Sequence, residues 1–243
     1  MKFPKKISPS PIAEAVTEIR FENELPSAVI FGRLYAGLSK DFSQTEQLPI
    51  LEMPAQFREM QPELKYAPHY RLKNEKFIVN IGQRIISVNR VCTKHEYSNW
   101  DEYFKVIKQV FKEVEKIGVV TETKSVSVRY INFIEQDVPT VLNLEIDLFQ
   151  TKVTDYKELV LSFMQEIKAD SKLRVNIASN AKIEAENGTR EGLVVNLEAY
   201  KDSPTSMKEL AVVIDSLHTV AEEGFFTALN PKFLESLNPV YAK

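Results

Sequence analysis

The clearest pattern of apolar and polar positions lies between Asn99 and Glu135. Apolar residues recur there at three- and four-residue steps up to Gly118, which predicts an amphipathic helix with one wide apolar face. These positions are Trp100, Tyr103, Phe104, Ile107, Val110, Phe111, Val114 and Ile117. The stretch from Ser125 to Glu135 is rich in β-branched and aromatic residues, which is typical of a strand. The rest of the chain is expected to pack onto this helix-to-strand unit.

A strand, a helix and three more strands are predicted before this unit. Ala15 to Phe21 alternates as a strand does, and the apolar positions after Pro26 predict a helix extending to about Phe42. A three-strand meander follows, over His69 to Leu72, Lys76 to Ile81 and Arg84 to Val91. Four prolines between Leu48 and Pro68 oppose a long helix, so only short extended pieces are expected in that segment.

A similar order of elements is predicted in the second part of the chain. The strand from Lys124 to Glu135 is followed by a predicted helix over Tyr156 to Lys168. Further strands are predicted over Leu173 to Ala178, Lys182 to Ala185 and Leu193 to Tyr200, and a last helix over Ser206 to Phe226. The Asn187-Gly188 pair is typical of the turn of a β-hairpin.

These elements predict an α+β fold with two similar halves of strand-helix-strands-helix order. Each half would be an antiparallel sheet with helices packed on one face. Residues 1–11 are expected to form an extended N-terminal arm, residues 12–122 the first half and residues 123–243 the second. The alternative is that the two halves form one joint domain. The repeated order favours an internal duplication. The other sheet face is expected to be a binding surface, or to lie under the Leu48 to Pro68 segment and a partner chain.

Composition narrows the binding partners and the cellular compartments that are expected for this protein. The 31 basic and 34 acidic residues give a sequence pI near 5.8, so no broad attraction to nucleic acid or to an anionic membrane is expected. One cysteine excludes an intramolecular disulfide and favours a reducing compartment. The N-terminus has no apolar signal-peptide core, and apolar runs are shorter than the ~20 residues of a membrane helix. A soluble, cytoplasmic protein is therefore predicted.

No recognisable catalytic motif is present in the sequence. The three histidines, His69, His95 and His218, lie in no spacing that converges with other candidate ligands. Cys92 and His95 make only half of a metal site. Neither a glycine-rich phosphate loop nor a serine nucleophile elbow occurs. We therefore expect no cofactor, no metal and no catalytic residue, and the sequence favours a non-enzymatic protein.

Charged residues in the middle of predicted strands are the candidate binding residues. They are Glu14, Glu18, Arg20, Arg90 and Arg129. A charge in mid-strand needs a paired charge or water, so these residues form either a solvated face with ordinary ion pairs or a recognition surface. Asn132 shares the parity of the apolar positions around it, which predicts a structural role on the core side.

Several segments together resemble a known family of proteins. They are Pro11 to Phe21, Ile86 to Arg90, the helix start at Trp100 to Phe104, Arg129 to Asn132, Ile214 to His218, and Phe225-Phe226. The family is a sporadically distributed, uncharacterised prokaryotic family of ~250-residue proteins with a Pro-Ile-x-Glu-Ala opening and an Arg-Tyr-Ile-Asn motif. The resemblance implies a role in an accessory, defence or toxin–antitoxin system, and it brings no established catalytic residues.

The preferred hypothesis is a binding or regulatory protein that recognises a protein partner, or a second copy of itself, through its open sheet face or sheet edges. The alternative is a nucleic-acid-binding module that uses Arg20, Arg90 and Arg129 on a curved sheet. A third possibility is a metal-dependent hydrolase or nuclease built on Glu14 and Glu18. Those residues would lie ~13 Å apart along one strand, too far to share an ion directly.

Overall fold

One antiparallel sheet runs through nearly the whole chain and carries the helices on one of its faces. The computed structural model describes residues 3–92, 97, 99–120, 122–168, 170–185 and 188–241, without the side chains of residues 168 and 185. His95 and Asn187, which the sequence singles out for a metal site and a turn, lie outside the described residues.

The first part of the chain forms the elements that the apolar pattern indicates, together with several short helices. They are β1 (Ile12–Phe21), α1 (Ser27–Leu38), β2 (Gln44–Gln47), a 3-10 turn (Pro49–Glu52), α2 (Ala55–Met60), α3 (Pro62–Lys65), β3 (Tyr70–Lys73), β4 (Phe77–Ile81), β5 (Ile85–Val91) and α4 (Trp100–Ile117). The Asn99 side chain caps α4 by accepting a hydrogen bond from the Glu102 backbone N–H at 2.9 Å. Gly118, with φ of 64°, ends the helix.

The second part of the chain contains longer strands and one long helix. Its elements are β6 (Glu122–Ile134), α5 (Val138–Val141), β7 (Asp147–Leu148), β8 (Thr151–Lys152), β9 (Val160–Lys168), β10 (Ser171–Ala185), β11 (Gly188–Lys201), β12 (Thr205–Ser206), α6 (Leu210–Ala228) and α7 (Pro231–Ser236). Strands β7 and β8 form a small separate hairpin.

The order of strands across the main sheet is β2-β3-β4-β5-β1-β6-β11-β10-β9, with β12 paired to β6. Strands β1 and β6 therefore lie side by side at the centre, where the two parts of the chain meet. Their antiparallel register places Ala15 opposite Tyr130 and Val16 opposite Arg129. The described edges of the sheet are β2 on one side and β9 on the other.

The core lies between the sheet and the helix layer. Helix α1 packs on β3, β4 and α4, helix α4 packs on β5, and α6 packs on β6, β10 and β11. Ala15, Ile19 and Phe21 of β1 are buried in this core, on the side of the strand that faces the helices. The mixed α+β class with a large antiparallel sheet is thereby confirmed.

Two predicted segments differ in the structure. Residues 156–168 contain a strand, β9, and not a helix. Their apolar positions fit both periods, and nine residues of pairing with β10 decide in favour of the strand. The segment from Leu48 to Pro68 forms short helical turns and not extended pieces, because its prolines stand at helix N-termini, where proline is tolerated.

The N-terminal arm lies against the C-terminal end of the chain. Lys6 and Val240 form an antiparallel β-bridge, and the Ser8 backbone N–H donates to the Leu237 carbonyl at 2.7 Å. Phe3 stacks on Phe226 of α6 with 6.0 Å between the ring centroids. The helices of the described part of the chain are all too short or too polar to span a membrane.

Candidate functional site

Four of the five predicted binding residues lie on the sheet face opposite the helices. Glu14, Glu18 and Arg20 lie on the same side of β1 as Val16. Arg129 of β6 lies on that side too, because it is paired with Val16. The open face of the central strands is thus polar, as the alternation predicts.

Hydrogen bonds join much of this face into a network. Arg71 Nε donates to Asn80 Oδ1 at 2.9 Å, and Asn80 Nδ2 donates to Asn89 Oδ1 at 2.9 Å. Asn89 Nδ2 in turn donates to Glu14 Oε1 at 2.7 Å. Glu18 forms an ion pair with Arg20 at 2.8 Å. Most charges of the face are therefore neutralised within the protein, and the two glutamates are held by different partners.

Arg129 differs from its neighbours on the open face. Its Nε is buried and has no hydrogen-bond partner among the described residues. The carboxylate of Glu198, directly opposite on β11, is paired with Arg174 at 2.8 Å. Among the described residues, Arg129 thus has no ion pair with the glutamate that lies opposite it.

Arg90 corrects the predicted grouping of the arginines. It is only 4% exposed and lies on the helix side of the sheet, because its register partners Ala15 and Phe77 face the core. It forms an ion pair with Glu102 of α4 at 3.2 Å, and its guanidinium lies 5.2 Å from the Phe77 ring centroid. Arg20, Arg90 and Arg129 therefore do not form one basic surface. The sequence contains a signal for this placement, because Arg90 stands two positions after the apolar Val88 and therefore lies on the same face of the strand.

A small cavity lies on the helix side of the sheet, at the seam where β1 meets β6. The N-terminal arm covers it, and the starts of α4 and β1, the end of β6 and one face of α6 surround it. Its volume is about 100 Å³. Its walls include Ile7, Ile12, Trp100, Ala221, Phe225 and Phe226.

A histidine and a tyrosine form the polar centre of this seam cavity. The Tyr130 hydroxyl and His218 Nδ1 share a hydrogen bond of 2.9 Å, and the Trp100 ring stacks on the His218 ring at 3.9 Å between centroids. Trp100 Nε1 donates to Asp215 at 2.8 Å. These contacts fix the imidazole and hold α4 against α6.

Burial favours the uncharged forms of the titratable groups here. Desolvation lowers the pKa of His218 to about 4, against the opposing effect of Asp215. Desolvation also raises the pKa of Glu222, whose carboxylate lies 4.0 Å from His218 Nε2. Near neutral pH the imidazole at the centre of the cavity is therefore neutral.

Asn132 lies on the core side, as its parity predicts, and lines the seam cavity. It is 1% exposed, and its Nδ2 donates to the Val195 carbonyl at 3.0 Å. Among the residues described, no group of three or more His, Cys, Asp or Glu side chains could hold a metal ion.

The sequence matches no protein-family model. A comparison with curated proteins also finds no match. The candidate sites therefore stand on their geometry.

The second surface of interest is the β9 edge of the sheet. Val160, Phe163 and Met164 are 81%, 44% and 56% exposed, although they belong to a nine-residue strand. Strand β2 at the other edge has four polar residues, and its Glu46 is paired with Lys73 and Arg71. Only β9 therefore combines an unpaired strand edge with apolar side chains among the described edges.

An apolar groove adjoins β9 on the helix side. It has a volume of about 380 Å³ and lies between α6 and the β9–β10 hairpin. Its lining includes Leu144, Phe163, Ile167, Val175, Val220 and Ala228. In the first part of the chain, β4 and β3 lie as many strands from the seam as β10 and β9 do in the second part. Helix α1 covers β3 and β4 there. Between β6 and β9 the single-turn helix α5 is the only helix that the described residues form.

Sequence reasoning missed both the seam cavity and the β9 edge. The cavity had a partial signal, since Ile12, Trp100, Tyr130, His218 and Phe226 all belong to the segments that carry the family resemblance. The β9 edge had none, because the segment was interpreted as an amphipathic helix whose apolar face would be buried.

Proposed function

We propose that this protein is a non-enzymatic binding module that recognises a protein partner along the β9 edge of its sheet. The observation that supports the proposal is the exposure of Val160, Phe163 and Met164 on a strand whose outer edge is unpaired. Proteins normally protect such edges with charges, prolines or short strands, because they template pairing with another chain. The β2 edge is short and polar, whereas β9 is nine residues long, exposes apolar side chains and has charged residues only towards its end, at Glu166 and Lys168.

The partner would contribute an extended segment to β9. Main-chain hydrogen bonds along the edge supply affinity in this mode, and pockets for alternate side chains supply specificity. The groove beside Phe163 and Ile167 offers such a pocket on the helix side. A partner's apolar side chain there would take the place that α1 fills over β3 and β4.

We also propose that the scaffold arose by duplication. Counting outwards from the seam, one part has the order β1, β5, β4, β3 and the other β6, β11, β10, β9. Helices α4 and α6 follow β5 and β11, the strands that flank β1 and β6 on their outer sides. This correspondence assigns β9 to the position of β3, which β2 covers in the first half. The partner strand would therefore occupy the position of β2.

The family resemblance further motivates a role in a bacterial accessory or defence system, and the single cysteine supports a cytoplasmic setting. The neighbouring genes would test the first point, since a partner encoded in the same operon is expected.

A photo-crosslinking amino acid placed at Met164 in the native host tests the binding mode. A crosslinked partner should then be purified and its affinity measured with Met164→Lys and with Val212→Lys. Val212 is 73% exposed on α6 and serves as the matched control. We expect Met164→Lys to weaken binding at least tenfold and Val212→Lys to leave it unchanged. Equal affinities for both variants, or turnover of a metabolite by a partner-free monomer, would refute the proposal.

A further inference from the structure

The seam cavity contains a buried hydrogen-bond acceptor that the protein does not use. Asn132 Nδ2 donates to the Val195 carbonyl, which can only accept, so the orientation of the amide is determined. Its Oδ1 is buried and has no hydrogen-bond partner in the described part of the chain. A buried acceptor left without a donor costs about 1–3 kcal/mol, so it calls for an explanation.

The position of Asn132 follows from the strand register. The pairing of β1 with β6 shifts between Ile12 and Glu14, and Asn132 lies opposite Ile12 on one side and Val195 on the other. The Phe133 backbone N–H donates to the Pro11 carbonyl at 2.9 Å. The irregularity holds the Asn132 side chain at the wall of the cavity.

The remaining walls define what the acceptor could meet. Ile12, Ala221, Phe225 and Phe226 provide apolar surface, while the rings of Trp100 and His218 stack on each other. The volume of about 100 Å³ is smaller than the ~150 Å³ of a dry cavity that accommodates benzene, so a single ring is the largest group that the cavity would take, and the wall must move outwards to admit it.

Charge limits the ligand further. The pKa of His218 is lowered to about 4 and that of Glu222 is raised, both mainly by desolvation. Among the described residues no arginine lines the cavity, and the two lysines of its lining, Lys5 and Lys6, are exposed to solvent on the arm. An anion would therefore meet no buried cation there, and the raised pKa of Glu222 weakens the attraction of that carboxyl group for a cation.

We infer that the seam cavity is a binding site for a small uncharged molecule with one ring and an N–H or O–H donor, which would donate to Asn132 Oδ1. The apolar walls would hold the ring, and the amide would select molecules that carry the donor. This site is separate from the β9 edge and does not depend on the proposed partner.

The single tryptophan makes the inference testable by NMR. Trp100 is the only tryptophan in the chain, so its indole N–H gives one resonance from the cavity wall. The ¹⁵N-labelled protein should be titrated with phenol and with fluorobenzene, which has a similar size but no donor. We expect a saturable shift of the Trp100 resonance with phenol, at a Kd on the order of 1 mM, and at least tenfold weaker binding of fluorobenzene.

Three variants complete the test. Ala221→Leu should fill the cavity and abolish the phenol shift, whereas Val212→Leu, on the exposed side of the same helix, should leave it unchanged. Asn132→Leu should remove the preference for phenol over fluorobenzene, provided that thermal unfolding shows a folded protein. The comparison of phenol with fluorobenzene on the unmodified protein tests the inference even if a variant does not fold. Absence of a saturable shift, equal binding of both probes, or binding that survives Ala221→Leu would overturn the inference.

Discussion

His69 should make the protein lose stability in mild acid, and its environment gives the size of the effect. Its side chain is 6% exposed and lies between Ser27 of α1 and Arg58 of α2. Arg58 Nη1 lies 2.9 Å from His69 Nε2, and His69 Nδ1 lies 2.6 Å from Ser27 Oγ. An arginine can only donate, so Nε2 must accept and Nδ1–H must donate to the serine. A second proton on Nε2 would face the guanidinium.

Burial, with a further contribution from Arg58, lowers the pKa of His69 from 6.5 to about 4. The folded protein thus binds a proton less readily than the unfolded chain. The stabilisation is present above pH 6.5 and is lost as the pH falls from 6.5 towards 4. Because proton binding is linked to unfolding, these two pKa values predict that the free energy of unfolding falls by about 2 kcal/mol between pH 7.5 and pH 5.

Urea unfolding at both pH values should be measured for the unmodified protein, His69→Gln and Arg33→Met. The His69→Gln variant should lose about 2 kcal/mol less than the unmodified protein over this interval. Arg33 is an exposed cation on α1, so its removal should not change the pH dependence. The His69 ring resonance should titrate near pH 4. A titration midpoint near 6.5, or an equal loss of stability in His69→Gln, would refute this account of the Arg58–His69–Ser27 contact.

Four further substitutions test the packing of the fold by urea unfolding. Tyr103→Phe should cost about 1–2 kcal/mol, because the fully buried hydroxyl donates to the Val88 carbonyl at 2.6 Å; an unchanged midpoint would show that this bond contributes nothing. Gly224→Ala should destabilise by about 1–3 kcal/mol, because its Cβ would lie 2.7 Å from Leu173, whereas Gly32→Ala in open space on α1 should stabilise by about 0.5–1 kcal/mol. Equal effects of the two glycine changes would contradict the packing of α6. Arg90→Met should destabilise by about 1–3 kcal/mol without changing partner affinity, since Arg90 is buried on the helix side with Glu102; reduced affinity of the folded variant would reverse that assignment.

The elements that the sequence predicts well are those whose local signals and tertiary environment agree. Helix α4 has a wide apolar face, a capping Asn99 and a terminal Gly118, and each of these acts locally. Strand β1 alternates because one of its faces is buried and the other is polar. The parity of its residues therefore places Glu14, Glu18 and Arg20 on the open face without knowledge of the partner strands.

Strand β9 shows where local pattern is insufficient. Val160, Phe163, Met164 and Ile167 fit a helical period, yet the segment pairs with β10, and two of these side chains point away from the helix layer. A buried partner strand adds hydrogen bonds that a sequence window does not contain. The seam cavity was equally hidden, since Tyr130 and His218 are far apart in the chain and meet only because α6 packs on β6.

Helix α6 separates the two proposed sites, and this separation makes their tests independent. One of its faces contributes Val220, Gly224 and Ala228 to the groove beside β9, and the other contributes His218 and Ala221 to the seam cavity. A substitution at Met164 touches neither the cavity nor α6, whereas Ala221→Leu fills the cavity without changing a residue of the β9 edge. Loss of partner binding with retained phenol binding would therefore localise the effect to β9, and the converse would localise it to the seam. If each variant impairs both partner binding and phenol binding, α6 couples the two sites. Phenol must then change the affinity for the partner by the same factor by which the partner changes the affinity for phenol, because thermodynamic coupling between two sites is reciprocal.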